Sequence, residues 1–575
     1  MNSEFEIRNL NVRSPRIRGQ VEAFLSENGL RLDPVDQYFG VFRLEEDQIL
    51  AGGGIYGDII KCVAVREEYR EEHLFNMLVS HLLSEAYQNG HFSTKVYTKP
   101  GNKAIFESLG FHSIGQSPMA LFMENSLTNL NKYKSYLNSH VEAQAKTRGL
   151  IVMNANPFTK GHRYLVEQAS RQVDQLFVIV VKENRSLFDY RYRLEMVRKG
   201  CADMANVQVL EGSDYQISSA TFPTYFLKQV TAATDEHIML DLDVCVKHIV
   251  PSLGVTKRFV GSEPTDLLTA RYNELMSRTL PMNGVEVVEI ARKEQDGKAI
   301  SASRVRKNAD LSLVYPTSVP FVIGVLAADS LRTELNLTPK PGLIDSQDNG
   351  AHDDMNYAVM MRSVDALEPF FVEFSQMGYQ EALPATEQIV SSGLAAEKAM
   401  MEATGGVNTH KGALFAIGLA CMAASHCFLN NGSMNQLSAT IQQLAESIPD
   451  AKGTHGSDVR DKYHVAGALD QAKMGYAQLF DSWLPFYQSK TQEETALHQL
   501  LLYIIAELDD NNILYRRGAE LAQEVKDRAR IALEDFKLEN IATMNSWMIK
   551  EHLSPGGCAD MLALTHFISR LTYNK

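Results

Sequence analysis

Residues 154–169 read NANPFTKGHRYLVEQA, and the middle of the chain is built around them. The stretch follows an apolar run, LIVMNA, and leads into GHRYLVEQAS, whose apolar residues recur at helical spacing. It is therefore the first strand, loop and helix of an alternating pattern. LFVIVVK, HIMLDLD, KRFVGS and VEVVEI are further strand candidates up to about residue 312, and YRYRLEMVRKGCADM is a further helix. Such alternation predicts a parallel sheet with helices on both faces.

The flanks differ from this core. Before it, FGVFRLEEDQILAGGGIYGDIIKCVAV (39–65) has apolar runs broken by charges and glycines, as antiparallel strands and turns have, and EEHLFNMLVSHLLSEAYQ (71–88) reads as a helix. Residues 125–149 are polar and read as a connector. After about 322 the β-rich runs stop, and long helical patterns such as HKGALFAIGLACMAASHCFL (410–429) and TALHQLLLYIIAEL (495–508) take over. The expected domains are residues 1–130, 131–320 and 321–575, in keeping with a length of 575 residues.

Composition bounds the function. Hydrophobic residues at 45% and charged residues at 22% are globular values. A net charge of −14 argues against nucleic acid as a partner. That charge is uneven: residues 321–575 hold 19 Lys and Arg against 32 Asp and Glu, leaving 37 and 38 for residues 1–320. No apolar run is expected to reach the roughly 18–20 residues that span a bilayer, and MNSEFEIRNLNVRSPRIRG lacks a signal-peptide core, so no membrane and a cytoplasmic location are expected. The six cysteines form no CxxC pair and are expected to be reduced thiols.

Thr159-Lys160-Gly161-His162 resembles the (His/Thr)-x-Gly-His signature of the nucleotidyltransferases, and GKAISASRVR (297–306) resembles their Ile-Ser-Ser-Thr-x-x-Arg motif. The resemblance implies a Rossmann-like α/β domain that joins a nucleophile to the α-phosphate of ATP. His162 would donate to the phosphoryl oxygens, Thr159 would offer a hydroxyl, and Gly161 would let the chain pass close to the nucleotide. Asn154, Asn156, Pro157, Phe158, Lys160, Ser301, Ser303 and Arg306 complete the expected ATP site, with serines at a helix start and an arginine for the outer phosphates. SLFDYRYRLEMV (186–197), GSDYQISSATFPTYFLK (212–228) and RFVGSEPTDLLTARYN (258–273) narrow the resemblance to citrate lyase ligase. That family implies acetate and ATP as substrates, acetyl-AMP as intermediate, and the prosthetic-group thiol of the citrate lyase acyl carrier protein (the gamma subunit) as acceptor. Lys160, Lys182 and Arg185 are candidate cations for the anionic nucleophile.

CVAVREEYREEHLFNMLVSHLL and NKAIFESLGF (102–111) resemble an acetyltransferase-like (GNAT) α+β domain. The family's Arg/Gln-x-x-Gly-x-Gly/Ala loop reads Arg70-Glu71-Glu72-His73-Leu74-Phe75 here, without either glycine, so a retained scaffold is expected rather than a tight acetyl-CoA site.

The last block carries LTPKPGLIDSQDNGAHDDM (337–355), ATGGVNTHKGALFAIGL (403–419), LDDNNILYRRG (508–518) and HLSPGGCADMLALT (552–565). In this order they resemble triphosphoribosyl-dephospho-coenzyme A synthase. The resemblance implies transfer of triphosphoribose from ATP to 3'-dephospho-CoA with release of adenine, in a mainly α-helical domain. It implies Asp345, Asp354 and Asp510 as base or metal ligands, with Asp354 and Asp510 on Mg2+. Lys340, His352, Asn408, Thr409, His410, Lys411, Asn512 and Arg516 would hold ATP or dephospho-CoA. The family's Arg-Gly-Glu-Ala-Glu is missing: Leu469, Asp470, Gln471 and Lys473 stand there. The expected protein is thus bifunctional, with Mg2+ and ATP for both reactions. The alternative is a ligase whose last domain is an inactive docking module for the carrier.

Overall fold

The computed structural model describes residues 4–571 apart from 71, 184–185, 218–229, 264–265, 450–458, 460–461 and 491–492. The chain divides into two compact units, one made of residues 1–155 and 161–299, the other of 156–160 and 300–575.

The first unit holds two sheets. The N-terminal one is mixed and seven-stranded, with β1 (Phe5–Asn9), β2 (Gln37–Arg43), β3 (Ala51–Tyr56), β4 (Ile59–Val65), β5 (Lys95–Thr98), β6 (His112–Gln116) and β7 (Leu121–Glu124). Their order is β1-β2-β3-β4-β5-β7-β6, and β4 and β5 are the parallel neighbours. Helices α1 (Pro15–Glu27) and α2 (Leu74–Gln88) cover opposite faces. Leu78, Val79, Leu82 and Ala86 of α2 close a core with Val41, Leu50, Ile60 and Val96. Helix α3 (Thr128–Asn138) follows.

The second sheet is parallel and five-stranded: β8 (Arg148–Met153), β9 (Gln175–Val180), β10 (Val207–Glu211), β11 (Lys257–Gly261) and β12 (Glu286–Ile290), in the order β10-β9-β8-β11-β12. Helices α4 (Lys160–Ser170), α5 (Tyr190–Cys201), α6 (Val230–Val244) and α7 (Leu267–Thr279) alternate with the strands. Strand order reverses between β8 and β11, and ligands of open parallel sheets bind at such a point, outside the carboxyl ends of the strands. The loop after β8 carries residues 154–159.

One sequence expectation is corrected here. HIMLDLD is part of helix α6, and the unforeseen strand is VQVLE, β10. The cause is packing on two sides. Leu240 and Val244 enter the core of the N-terminal sheet, while Ile238, Leu242 and Cys245 enter the core of the parallel sheet. Two apolar faces offset by two residues along one helix mimic the alternation of a strand. Contact with the N-terminal sheet is close enough that a Cβ on Gly115 would come within 2.4 Å of Val244 Cγ2.

The second unit is largely helical. After the short α8 (Ala302–Asn308) come α9 (Val319–Asn336), α10 (Tyr357–Gly378), α11 (Thr386–Thr404), α12 (Lys411–Leu429), α13 (Met434–Glu446), α14 (Glu493–Glu507), α15 (Asn511–Glu534), α16 (Leu538–Lys550) and α17 (Gly556–Arg570). Helix α9 is buried along nearly its whole length and packs on α10, α12 and α17. Helix α12 has the length and apolar composition to cross a membrane, which the sequence reading did not register; 72% of its most apolar window is buried as a core helix of this unit.

Leu240 is fully buried in α6. Leu240→Ala is expected to cost about 2–5 kcal/mol, measured as a lower unfolding midpoint of the first unit by calorimetry.

Candidate functional sites

At the carboxyl edge of the parallel sheet, Arg193 of α5 is buried and engaged on all sides. Its Nη1 donates to Asn154 O at 2.8 Å, Asn154 Oδ1 at 2.6 Å and Val181 O at 2.9 Å. Its Nη2 donates to Glu183 O at 2.8 Å and its Nε to Phe188 O at 3.0 Å. Burial lowers its pKa. This guanidinium draws the ends of β8 and β9 together and fixes Asn154, the first residue of the motif. Asn154 Nδ2 in turn donates to Glu183 Oε1 at 3.0 Å. Sequence reading quoted the segment that holds Arg193 but missed the residue, because its partners lie up to 39 positions away.

The loop after β10, residues 212–217, is pinned at the same edge. Gly212 N donates to Tyr190 Oη at 2.9 Å and Ile217 N to Asp241 Oδ1 at 2.7 Å. Tyr215 Oη donates to Glu124 Oε2 of β7 at 2.8 Å, and Lys95 of β5 meets Asp214. Burial, opposed by hydrogen bonds from Tyr272 and Ile217, leaves the Asp241 carboxyl raised to about 6.

The units divide the Thr-x-Gly-His motif. Gly161 and His162, both half-buried, lie in the first turn of α4 in the first unit. Residues 156–160 belong to the second unit with residues 300–315. There Arg306 Nη1 donates to Asn156 O at 2.5 Å and Nη2 to Ser303 Oγ at 3.0 Å. Ser301 caps α8, its Oγ accepting from Ser303 N at 3.2 Å. Thr159, almost fully buried, bridges Val314, and the Phe158 and Tyr315 rings meet edge to face at 5.8 Å. Pro157 follows Asn156 through a cis bond, and Lys160 opens α4. Arg185 lies outside the described residues.

The helical unit encloses a polar cluster. Lys340 is buried, its Nζ 2.5 Å from Glu334 Oε1 and 2.9 Å from Glu334 O. His410, at the start of α12, meets Ser363 Oγ through Nδ1 at 2.8 Å, and Thr409 Oγ1 donates to the same hydroxyl at 2.7 Å. His410 Nε2 is buried without a hydrogen-bond partner, and burial together with Lys340 pushes the imidazole down to about 4. Asp345 accepts Gln347 N at 2.7 Å and Asp348 N at 3.1 Å on Oδ1, while its buried Oδ2 has no hydrogen-bond partner. His352 Nε2 meets Ser554 Oγ at 2.8 Å, and burial, aided by Arg516, lowers its pKa. Sequence reading missed Glu334 and Asp560. Asp560 lies so close over Gly412 that a Cβ there would meet its Oδ2 at 2.1 Å, and burial, with Glu334 and Asp510 nearby, pushes its carboxyl well up.

Other expected residues sit outside this cluster or serve the fold. Asn408, Asn512 and Arg516 are exposed. Lys411 pairs with Glu397 at 2.6 Å. Asp510 is the N-cap of α15: Oδ1 accepts Asn512 N and Ile513 N, and Oδ2 accepts Cys558 N at 3.0 Å. Asp354 is largely exposed, 3.7 Å from His352 Nδ1. Among the described residues no three His, Cys, Asp or Glu side chains gather as a metal site. Asp510 turns both oxygens to backbone N–H groups.

Residues 148–313 match the model of the citrate lyase ligase C-terminal domain, and residues 320–575 match that of the ATP:dephospho-CoA triphosphoribosyl transferase. Citrate (pro-3S)-lyase ligase of Haemophilus influenzae is 41% identical over 294 residues, 50% of this chain and 88% of the relative. The 2-(5''-triphosphoribosyl)-3'-dephosphocoenzyme-A synthase of Pectobacterium atrosepticum is 35% identical over 257 residues, 41% of this chain and 85% of the relative. The chain belongs to both families. Citrate (pro-3S)-lyase ligase of Escherichia coli, 40% identical over 52% of this chain and 86% of its own length, agrees for the ligase part. Among solved structures, Escherichia coli ElaA is similar at 15% identity with a TM-score of 0.19, over 21% of this chain and 99% of its own, a likeness that carries no argument.

His73, before helix α2, has a φ of 57°, in the left-handed region that glycine favours. In the synthase part, Asp470 accepts Gly467 N at 2.8 Å and so caps the short helix Ala468–Lys473 where the family pattern is lost.

Arg193→Met strips five acceptors of their donor and is expected to destabilise the first unit by about 3 kcal/mol or more, read as an earlier calorimetric transition. Asp241 gives a pH signature. Its folded pKa of about 6 exceeds the ordinary 3.8, so the folded state holds more protons between these values and stability falls as pH rises from about 4 to about 6. Asp241→Asn should flatten that slope in unfolding curves taken across the same window.

Proposed function

We propose that this chain is a bifunctional enzyme of citrate lyase maturation. The observation that carries the reading is that two family matches, 148–313 and 320–575, lie end to end on one chain. In the ligase reaction, acetate attacks the α-phosphate of ATP, acetyl-AMP forms and pyrophosphate leaves. The acetyl group then passes to the prosthetic-group thiol of the citrate lyase acyl carrier protein, and AMP is released. His162 donates to the phosphoryl oxygens as charge grows on them, and Thr159 offers its hydroxyl. Gly161 and Asn154, Asn156, Pro157, Phe158 and Lys160 line the nucleotide, with Ser301, Ser303 and Arg306 on its outer phosphates. We read residues 1–130 as an acetyltransferase-like scaffold, 131–320 as a Rossmann-like nucleotidyltransferase domain and 321–575 as the synthase domain. The cytoplasm suits an ATP-dependent enzyme acting on a free thiol.

In the synthase reaction, triphosphoribose moves from ATP to 3'-dephospho-CoA and adenine leaves. Support comes from the buried, unpartnered His410 Nε2 and Asp345 Oδ2, since such groups in a native fold are normally satisfied by a ligand or water. Asp345 serves as base, and Lys340, His352, Thr409, His410, Lys411 and Arg516 bind the substrates along with Asn408 and Asn512. Mg2+ travels with the ATP triphosphate and needs no resident cluster. The altered segment at Leu469 to Lys473 favours the second reading, a docking module for the carrier.

His162→Ala should lower acetate-dependent pyrophosphate release by about a hundredfold or more, while adenine release from ATP and dephospho-CoA persists in the same preparation. Full pyrophosphate turnover in that variant would remove His162 from the mechanism. Absence of adenine from the folded, Mg2+-supplied wild type would select the docking reading.

A further inference from the structure

The ligase reaction brings an anionic carboxylate to an anionic phosphate, and a cation beside the carboxylate would offset their repulsion. Three features single out Lys182. It lies between Val181 and Glu183, whose carbonyls Arg193 clamps beside Asn154, so its backbone is fixed next to the start of the nucleotide motif. Its side chain is half exposed. Its Nζ has one ion-pair partner among the described residues, Asp214 Oδ1 at 3.7 Å, which leaves N–H donors for a second anion.

Asp214 is itself held from the N-terminal sheet. Lys95 Nζ, on a side chain only 5% exposed, is 2.8 Å from Asp214 Oδ2 and 2.6 Å from Asp58 Oδ2. Asp58, Lys95, Asp214 and Lys182 therefore form a row of alternating charge that runs from the β3–β4 turn to the carboxyl edge of the parallel sheet. Burial raises the Asp214 carboxyl, but Lys95 and Lys182 together bring it below the usual range, so it stays ionised. Burial lowers Lys95, and its two carboxylates outweigh that and raise it. Next to this row, Glu124 of the same sheet holds Tyr215.

We propose that Lys182 binds the carboxylate of the acid substrate, and that Lys95 and Asp214 are positioning residues that aim it. This rests on the ligase reading above. It gives the N-terminal sheet a role in the ligase reaction that does not require acetyl-CoA.

The test is steady-state pyrophosphate release by the full-length enzyme, varying acetate and ATP separately. Lys182→Met, on a half-exposed side chain, should raise the KM for acetate about tenfold or more and leave the KM for ATP within about twofold. Asp214→Asn and Lys95→Met should raise the acetate KM in the same selective way, and Lys95→Arg should restore most of it. Calorimetry shows whether each variant folds, and a Lys95→Met that does not fold leaves Lys182→Met to decide. An unchanged acetate KM in Lys182→Met, or equal rises for acetate and ATP, overturns the proposal while the ligase reading stands. A wild-type enzyme that releases no pyrophosphate with acetate overturns both.

Discussion

Arg193 is wholly buried, and the donors of its guanidinium end on oxygens of Asn154, Val181, Glu183 and Phe188. A desolvated cation is tolerated only when its surroundings replace water completely. Here the replacement comes from four chain positions that must come together at one point. That requirement fixes where β8 and β9 end, how the loop of the nucleotide motif leaves the sheet, and where Lys182 starts. No carboxylate is needed, because the carbonyls supply the acceptors and their dipoles are held by the sheet.

The helical unit meets the same constraint with opposite charge. Many of its carboxylates lie at the surface, some in pairs such as Arg528 and Glu524, which contribute little. Glu334, Asp345 and Asp510 are buried and Asp560 is half-buried, and each has a different answer to desolvation. Glu334 takes a lysine, Asp510 takes three backbone N–H groups, and Asp560 is pushed toward the protonated form. Asp345 keeps one oxygen unanswered. The negative charge that composition assigned to this part of the chain is thus mostly solvated, with a few carboxylates doing distinct chemical work.

What sequence could read was local. The Thr159 to His162 motif, the Ser301 to Arg306 turn, helices α4, α5 and α12, and strands β8, β9, β11 and β12 all announce themselves within a dozen residues. Helix α6 misled because two cores read it at once, and β10 went unread although it is as long as β11 and β12. Arg193, Lys95 and Asp560 were illegible for another reason: nothing near them in sequence explains them. Lys95 is 119 positions from Asp214, and no periodicity encodes such a partner. His73 is an intermediate case, since the residue type was visible but its left-handed backbone was not.

Helix α6 has a consequence beyond its misreading. With Leu240 and Val244 in one core and Ile238 and Leu242 in the other, neither sheet can close its core alone. The two sheets are then expected to melt together rather than as separable modules. Trimming either sheet would leave half of this helix in water.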